Sequence, residues 1–264
     1  MANTHQDIKI AIIGGGAMGS ALAKGLLLKH EITPKNICIA DPFTSHLEDL
    51  KEKGIRITGS NKEAIREADL IIIAVKPWIV NTVLSEIELS DFPRNAEWCF
   101  IVAGIPSQDL LKMFKRELPS SLSIAIPNTA MSVSESMTFV VPVRGNASLA
   151  KSVFNQVGKV MEIEERLLPG SMALVSCGIA FAFRYIRAAS EGGVELGIKA
   201  SEAQKMVAQT LKGAVTLLEN NNSHPEAEID KVTTPGGITI KGLNAMEKFG
   251  FTTSVIEGLK ACKP

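Results

Sequence analysis

Residues 10–27 read IAIIGGGAMGSALAKGLL, which is an apolar run, a glycine turn and the start of a helical pattern. Gly14, Gly16 and Gly19 have the spacing GxGxxG at the junction of the predicted strand and helix. A tight turn favours Gly14, the approach of a pyrophosphate favours Gly16, and close contact between helix and strand favours Gly19. The helix N-terminus then offers free N–H groups to phosphates. The stretch predicts a dinucleotide site, and a glycine turn without a ligand is the alternative.

Around this stretch, residues 1–165 alternate short apolar runs with amphipathic segments, the pattern of a parallel sheet with helices on both faces. The run LIIIAV at 70–75 has no polar alternation, which is typical of a central strand covered on both sides. The predicted strands are 8–13, 37–40, 55–58, 70–75, 99–102, 123–126, 138–141 and 159–162. The predicted helices between them are 18–29, 45–53, 62–67, 78–86, 108–114 and 149–157. This part of the chain is therefore predicted to be an α/β dinucleotide-binding domain.

The second part of the chain, from about residue 166 to residue 264, has only helical patterns. Residues 201–220 carry an apolar stripe at helical spacing, and residues 171–191 are apolar on nearly every side up to Arg184 and Arg187. A helix without a polar face has to be covered on all sides, which a small domain can hardly do alone. We therefore predict two domains, 1–165 and 166–264, and a homodimer or higher homo-oligomer. The central helix of a monomeric bundle is the alternative.

The composition excludes several classes of protein. The 264 residues are 45% apolar and carry 28 basic against 28 acidic side chains, so we expect neither disorder nor nucleic acid or a membrane as a partner. The cysteines form no CxxC pair and the histidines no HxxxH pair, so we expect reduced thiols and no metal site. The apolar stretch 172–183 is too short to cross a bilayer, and the N-terminus lacks a signal-peptide pattern. We expect a cytoplasmic protein.

Asp41 closes the second predicted strand, where an acid about 20 residues beyond the glycine turn can bind the adenosine ribose. A carboxylate there repels a 2′-phosphate and so favours NADH. Thr44, Ser45 and His46 could instead donate hydrogen bonds to a phosphate, which leaves the choice of cofactor open. A turn residue before Pro42 is the alternative interpretation of Asp41.

Two further strand ends lie at the predicted ligand edge of the sheet. AVKP at 74–77 ends the fourth strand, and VAGI at 102–105 ends the fifth, near the expected position of the nicotinamide. Lys76 is thus a candidate contact to the cofactor, and a solvated loop lysine is the alternative.

In the helical half, residues 232–243 read VTTPGGITIKGL. Pro235, Gly236 and Gly237 cannot continue a helix but can precede one, which predicts a new helix over residues 237–248. Such a start offers free N–H groups and threonine hydroxyls to a carboxylate without any arginine. An ordinary loop between two helices is the alternative.

Several catalytic motifs are absent from the sequence. The chain's one tyrosine, Tyr185, is followed four residues later by Ala189, so the Tyr-x-x-x-Lys pair of short-chain dehydrogenases is missing. There is no GxSxG nucleophile elbow, no lysine of a phosphate-binding P-loop and no histidine in an obvious acid–base position. These absences favour a reaction in which the substrate supplies its own activation.

Taken together, GGGAMG (14–19), AVKP, PNT (127–129), EGGVELG (191–197) and above all TTPGGITIKGL (233–243) resemble the pyrroline-5-carboxylate reductase family. The motifs follow in order from residue 8 to about residue 260. The resemblance implies a Rossmann domain followed by an all-α dimerisation domain. It also implies hydride transfer from NADPH, or from NADH, to the imine carbon of 1-pyrroline-5-carboxylate, which gives L-proline. A cyclic imine can arrive protonated, so the enzyme mainly has to align two reactants.

The resemblance also implies a role for individual residues. It assigns to the cofactor Gly14, Gly16, Ala17, Met18, Gly19, Asn61, Ala74, Val75, Lys76, Pro77, Ala103 and Gly104. It assigns to the substrate Thr233, Thr234, Gly236, Gly237 and Thr239. Thr239 is the predicted catalytic residue, with its hydroxyl near the imine nitrogen.

The sequence departs from the family pattern at one segment. Where the family usually reads S-G-S-G-P-A, this chain has VSCGIA at 175–180, and Pro169 stands where an aspartate is common. In the family this segment lies near the substrate. A related NAD(P)-dependent imine reductase or dehydrogenase acting on another small carboxylate is therefore a second hypothesis, and a non-catalytic dinucleotide-binding sensor is a third.

Overall fold

A computed structural model describes residues 7–87, 93–114 and 118–262. These residues divide into two compact units, one that ends at Ser176 and one that begins at Cys177. The first unit contains an eight-stranded sheet with the order β3-β2-β1-β4-β5-β6-β7-β8. Its strands are β1 Ile10–Ile13, β2 Ile37–Ala40, β3 Arg56–Thr58, β4 Leu70–Ile73, β5 Glu97–Phe100, β6 Ser121–Ile126, β7 Ser136–Arg144 and β8 Gly158–Glu162. Each strand overlaps a strand predicted from the sequence.

The helices of the first unit cover both faces of this sheet. They are α1 Ala17–Lys29, α2 Glu48–Glu52, α3 Asn61–Ile65, α4 Val80–Glu86, α5 Ser107–Met113, α6 Ser148–Asn155 and the short α7 Leu168–Ser171. Alternate residues of β1 belong to two separate hydrophobic clusters, since Ile10 and Ile12 lie in one and Ala11 and Ile13 in the other. All residues of β1 and β4 are buried, as predicted for central strands.

The sequence predicted a parallel sheet, but one strand of the observed sheet runs antiparallel to its neighbour. All pairs from β3 to β6 are parallel, but β7 runs antiparallel to β6. The connection between these two strands, residues 127–135, contains one 3₁₀ segment at Thr129–Val133. A parallel pair needs a crossover of a dozen or more residues, so this short connection can only return the chain in the opposite direction. The residues that precede this connection, including the whole ligand edge of β1, β2, β4 and β5, are unaffected.

A buried carboxylate joins the sheet to α6. Glu97 on β5 is only 6% exposed, and it accepts the N–H groups of Leu149 at 3.1 Å and Ala150 at 2.8 Å in the first turn of α6. Burial raises the pKa of Glu97, and these two hydrogen bonds lower it in part. The carboxylate thus takes the place of a local N-cap for α6.

The described residues of the second unit form helices joined by turns, without any strand. Its helices are α8 Gly178–Glu195, α9 Ala200–Asn221, α10 Pro225–Val232, α11 Ile238–Lys248 and α12 Phe251–Ala261. The prediction of an α/β domain followed by an all-α domain is therefore confirmed. The domain boundary predicted at 165/166 stays a prediction. The compact units of the structure meet at residues 176 and 177.

The helical segment Glu165–Glu195 carries much exposed apolar surface. It has a mean hydropathy of 1.5 over its most apolar window, and only 6% of that window is buried. By length and composition alone it could cross a membrane, because the helix continues well beyond the stretch 172–183 considered in the sequence. Phe183 on α8 is an example of this exposed apolar surface, since its exposed fraction is 63%. A single segment of this kind is weak support for a membrane span.

Candidate active site

The three motif glycines have three different environments. Gly14 has a φ of +104°, and a Cβ there would lie 2.7 Å from the carbonyl oxygen of Ala74 on the neighbouring strand end. A Cβ on Gly19 would overlap the carbonyl oxygen of Gly14. A Cβ on Gly16 would meet no described atom within 4 Å. The fold itself thus requires Gly14 and Gly19, whereas Gly16 leaves open space beside the turn.

That open space lies at the N-terminus of α1, where Gly16 is the N-cap residue. No described side chain caps this end, and Gly16 and Ala17 are exposed. The first N–H groups of α1 and the helix dipole therefore face solvent beside Gly16. These features fit the pyrophosphate of a dinucleotide.

The middle residue of the turn, Gly15, is fixed by three side chains. Its N–H donates to Oδ2 of Asp41 at 2.8 Å. Its carbonyl oxygen accepts from Oγ of Ser20 at 2.5 Å and lies 2.9 Å from Nε2 of His46. Asp41 also accepts the N–H of Phe43 through Oδ1, at 2.9 Å. The sequence did not predict that Ser20 and His46 hold the turn, since neither belongs to the glycine motif.

The bond from His46 also limits what this histidine can do. A carbonyl oxygen only accepts, so the proton must sit on Nε2, and in the neutral ring Nδ1 is then an acceptor. Neutral His46 therefore cannot donate a hydrogen bond to a phosphate. Among the sequence candidates for such a donor, this leaves Thr44 and Ser45.

The carboxyl ends of the central strands bring most of the predicted cofactor residues to one edge. Gly14 bonds the carbonyl oxygen of Ala40 at the end of β2, and Ala74 bonds that of Ile13 at the end of β1, each at 2.8 Å. The loop after β5 begins beside the end of β4, because the N–H of Ile101 donates to the carbonyl oxygen of Ile73. In that loop Ala103 and Gly104 are exposed.

Two predicted cofactor residues have surroundings that the sequence did not indicate. Asn61 is the first residue of α3, and its Nδ2 donates to Oε2 of Glu86 at 2.8 Å, so a contact with the cofactor would compete with this bond. Lys76 follows β4 and is exposed. Both a solvated lysine and a lysine that contacts a ligand would be exposed here, so its exposure does not decide between these two interpretations.

In the second unit, residues Thr234–Gly237 form a tight turn before α11. The N–H of Gly237 bonds the carbonyl oxygen of Thr234 at 2.9 Å, and Gly236 has a φ of +73°. A type II turn needs a positive φ at its third position, which favours glycine, and proline is common at its second position. A Cβ on Gly237 would lie 2.7 Å from Oγ1 of Thr234, so a larger residue would not fit.

This turn delivers the chain to an open helix start. Gly237 is the N-cap of α11, no described side chain caps it, and Thr239 is exposed in the first turn. Thr233 is half-buried, and its hydroxyl donates to the carbonyl oxygens of Ile229 and Asp230 at the end of α10. The helix predicted over residues 237–248 is thus present as α11, with Gly237 as its N-cap. Its open N-terminus, with free N–H groups, fits a small carboxylate.

Comparisons with known proteins cover each of the two units. The family described as pyrroline-5-carboxylate reductase dimerisation matches residues 165–264, and the family described as NADP oxidoreductase, coenzyme F420-dependent, matches residues 9–95. Pyrroline-5-carboxylate reductase 2 of Dictyostelium discoideum is 33% identical over 95% of this chain and 89% of its own length. The chain belongs to the pyrroline-5-carboxylate reductase family. This membership makes it an NAD(P)H-dependent oxidoreductase of proline biosynthesis.

Other relatives of this reductase family support the assignment over the whole chain. Pyrroline-5-carboxylate reductase 1 of D. discoideum is 37% identical over 96% of the chain, which spans 48% of that protein. The crystal structure of the Plasmodium falciparum pyrroline carboxylate reductase with NADP bound has a TM-score of 0.86 at 27% identity, over 98% of this chain and 96% of that one.

The segment that departs from the family pattern has an unusual helical geometry. Met172–Cys177 is π-helical, and such turns occur often at functional sites. Within this segment, Ser176 donates from its Oγ to the carbonyl oxygen of Pro127 at 3.3 Å. Among the described residues no group of three His, Cys, Asp or Glu side chains could hold a metal ion.

Proposed function

We propose that the chain reduces the C=N bond of 1-pyrroline-5-carboxylate to give L-proline. The observation that supports this most strongly is the turn Thr234–Gly237, which opens the N-terminus of α11 in the segment TTPGGITIKGL. Bound NADH or NADPH would supply the hydride, and the imine carbon would accept it.

The chain's own residues would bind and orient the two reactants. The N–H groups that follow Gly237 and the helix dipole would hold the substrate carboxylate without a basic side chain. The hydroxyl of Thr239 would hydrogen-bond at the imine nitrogen, which needs no strong acid because a cyclic imine can arrive protonated. The N–H groups that follow Gly16 would hold the cofactor pyrophosphate. Alignment of this kind can supply a large part of an enzymatic rate enhancement.

For the cofactor, the resemblance implies NADPH first, whereas the surroundings of Asp41 favour NADH. Its carboxylate is held at the end of β2 by the N–H groups of Gly15 and Phe43. Residues 42–45 contain no basic side chain, and His46 points Nε2 at Gly15. A 2′-phosphate would therefore meet a fixed negative charge, and residues 42–45 supply no cation to balance it. We propose a preference for NADH.

The exposed apolar surface of the segment Glu165–Glu195 suits a homodimer in the cytoplasm. The segment Glu165–Glu195 lies within the residues that the dimerisation family matches, so a second copy of the chain would cover it without any lipid. Size-exclusion chromatography with light scattering in detergent-free buffer tests this proposal. A monodisperse dimer or larger even oligomer supports it, and a monomer or a protein that stays soluble only in detergent contradicts it.

The reaction is tested by following the nicotinamide absorbance of NADH and NADPH with the purified protein. Oxidation with 1-pyrroline-5-carboxylate supports the proposal. The segment VSCGIA at 175–180 favours one alternative, a different small imine or keto acid, so these compounds should be offered in parallel. Cofactor binding without oxidation of any of them would instead identify a sensor.

A further inference from the structure

Both carboxylate oxygens of Glu165 bind Ser107. Oε1 accepts the N–H of Ser107 at 2.6 Å, and Oε2 accepts its hydroxyl at 2.5 Å. The two residues are 58 positions apart, and both hydrogen bonds are partly buried. Hydrogen bonds to an ionised group are roughly twice as strong as neutral ones, and two on one residue also fix its orientation.

Ser107 stands directly after the exposed loop that follows β5. In this loop, Ala103 and Gly104 are exposed, and Gly104 has a φ of +82°. α5 then begins at Ser107, and its N-cap residue is Pro106, whose side chain contains no hydrogen-bond acceptor. The N–H of Ser107 therefore has no local partner, and Glu165 supplies a distant one.

The loop lies where the nicotinamide half of a dinucleotide is expected. The strand order reverses between β1 and β4, and ligands of such sheets lie outside the carboxyl ends of the strands at that point. The glycine turn and Asp41 lie on the side of β1 and β2, so the other half of the ligand extends over the ends of β4 and β5.

We propose that Glu165 is a positioning residue for the nicotinamide. By holding Ser107 it sets the path of Ala103 and Gly104, and through them the orientation of the ring that gives up the hydride. The inference rests on the proposed function for its kinetic consequence. Glu165 is the first residue of the segment matched by the dimerisation family, and both partners of this contact lie inside the first unit.

The neighbouring glutamate provides a matched control. Glu164 pairs with Arg166, and its side chain is 69% exposed. Loss of such an exposed pair has little effect on a fold. Glu165→Ala and Glu164→Ala thus remove the same group from adjacent positions. In Glu165→Gln the amide oxygen can still accept the N–H of Ser107 and the amide nitrogen can donate to its hydroxyl, so this variant should rescue function.

The variants are compared by turnover, cofactor affinity and the primary isotope effect with cofactor deuterated at C4. In Glu165→Ala we expect kcat to fall about ten-fold, because a small misplacement of reacting groups slows hydride transfer. The Kd of the reduced cofactor should stay within about two-fold, because the glycine turn is intact, and the isotope effect should rise. Glu164→Ala and Glu165→Gln should stay near the wild type. Unchanged kcat in Glu165→Ala, or a loss of kcat with an unchanged isotope effect, would overturn the proposal.

Two readouts do not depend on turnover. Hydrogen exchange over residues 102–111 should be faster in Glu165→Ala than in Glu164→Ala, and the emission of bound NADH should change only in Glu165→Ala. If the wild type fails to reduce 1-pyrroline-5-carboxylate, the proposed function is wrong, and these readouts still decide the role of Glu165. Equal exchange and equal emission in the two alanine variants would overturn that role.

Discussion

The glycine turn allows the requirements of the fold to be separated from those of the cofactor by two matched substitutions. In Gly19→Ala the new methyl group would overlap the carbonyl oxygen of Gly14 and lie 3.1 Å from the side chain of Ile12, so helix and strand must separate. Overpacking of this kind destabilises by about 1–3 kcal/mol or more. At about 2–4 °C per kcal/mol for a chain of this size, we expect the Tm to fall by roughly 3–10 °C.

Gly16→Ala places the same methyl group in open space. The φ of Gly16 is −63°, which alanine adopts readily, so we expect a loss of at most about 1 kcal/mol from the weaker N-cap. The methyl group would occupy the space proposed for the pyrophosphate. We therefore expect the Kd of NADH to rise at least about ten-fold, which is roughly 1.4 kcal/mol.

Thermal unfolding without cofactor and a fluorescence titration with NADH measure the two effects separately. Gly19→Ala should lose stability first, and Gly16→Ala should lose affinity while it keeps most of its stability. Wild-type affinity in Gly16→Ala would refute the pyrophosphate assignment. Equal Tm values for the two variants would refute the steric argument for Gly19.

Three further predictions concern single side chains. Asp41→Ser should raise the ratio of kcat/KM for NADPH over NADH by about ten-fold or more, because it removes the fixed negative charge; an unchanged ratio would contradict the contact to the ribose. Glu97 has a raised pKa when folded, so its contribution to stability is greatest below the unfolded pKa of about 4.3 and is lost as the pH rises through the folded value. Urea unfolding should therefore show Glu97→Gln gaining on the wild type as the pH rises from 4 to 7, and a constant difference would contradict this. Thr239→Val should lower kcat about 10–100-fold at an unchanged Tm, since Thr239 is exposed, whereas the control Thr210→Val on α9 should keep wild-type turnover.

Local patterns in the sequence were sufficient to predict most of the fold. The apolar runs predicted all eight strands of the described sheet, and they were clearest in β1 and β4, because a strand buried on both faces has to be apolar throughout. The segment TTPGG predicted the start of α11, because proline fixes its own φ and cannot continue a helix, whereas glycine readily adopts the positive φ of a turn. The direction of β7 was predicted wrongly, since apolar runs do not encode strand direction.

The contacts that hold the candidate site could not be predicted in the same way. Glu165 and Ser107 are 58 positions apart, and His46 and Gly15 are 31 apart. Each pair joins a common surface residue type to a backbone group, and neither follows a periodic pattern. Such pairings depend on how the strand ends come together in three dimensions. The residues carried over from the family resemblance remain predictions until they are tested by substitution.

Transfer of deuterium from C4 of the cofactor to the product is a direct test of the proposed reduction of the imine. The purified wild-type protein is incubated with 1-pyrroline-5-carboxylate and with NADH or NADPH that carries deuterium at both C4 positions, and the product is analysed by chiral chromatography and mass spectrometry. We expect L-proline that carries one deuterium, on the former imine carbon. Unlabelled proline, or oxidation of the cofactor without formation of proline, would contradict it.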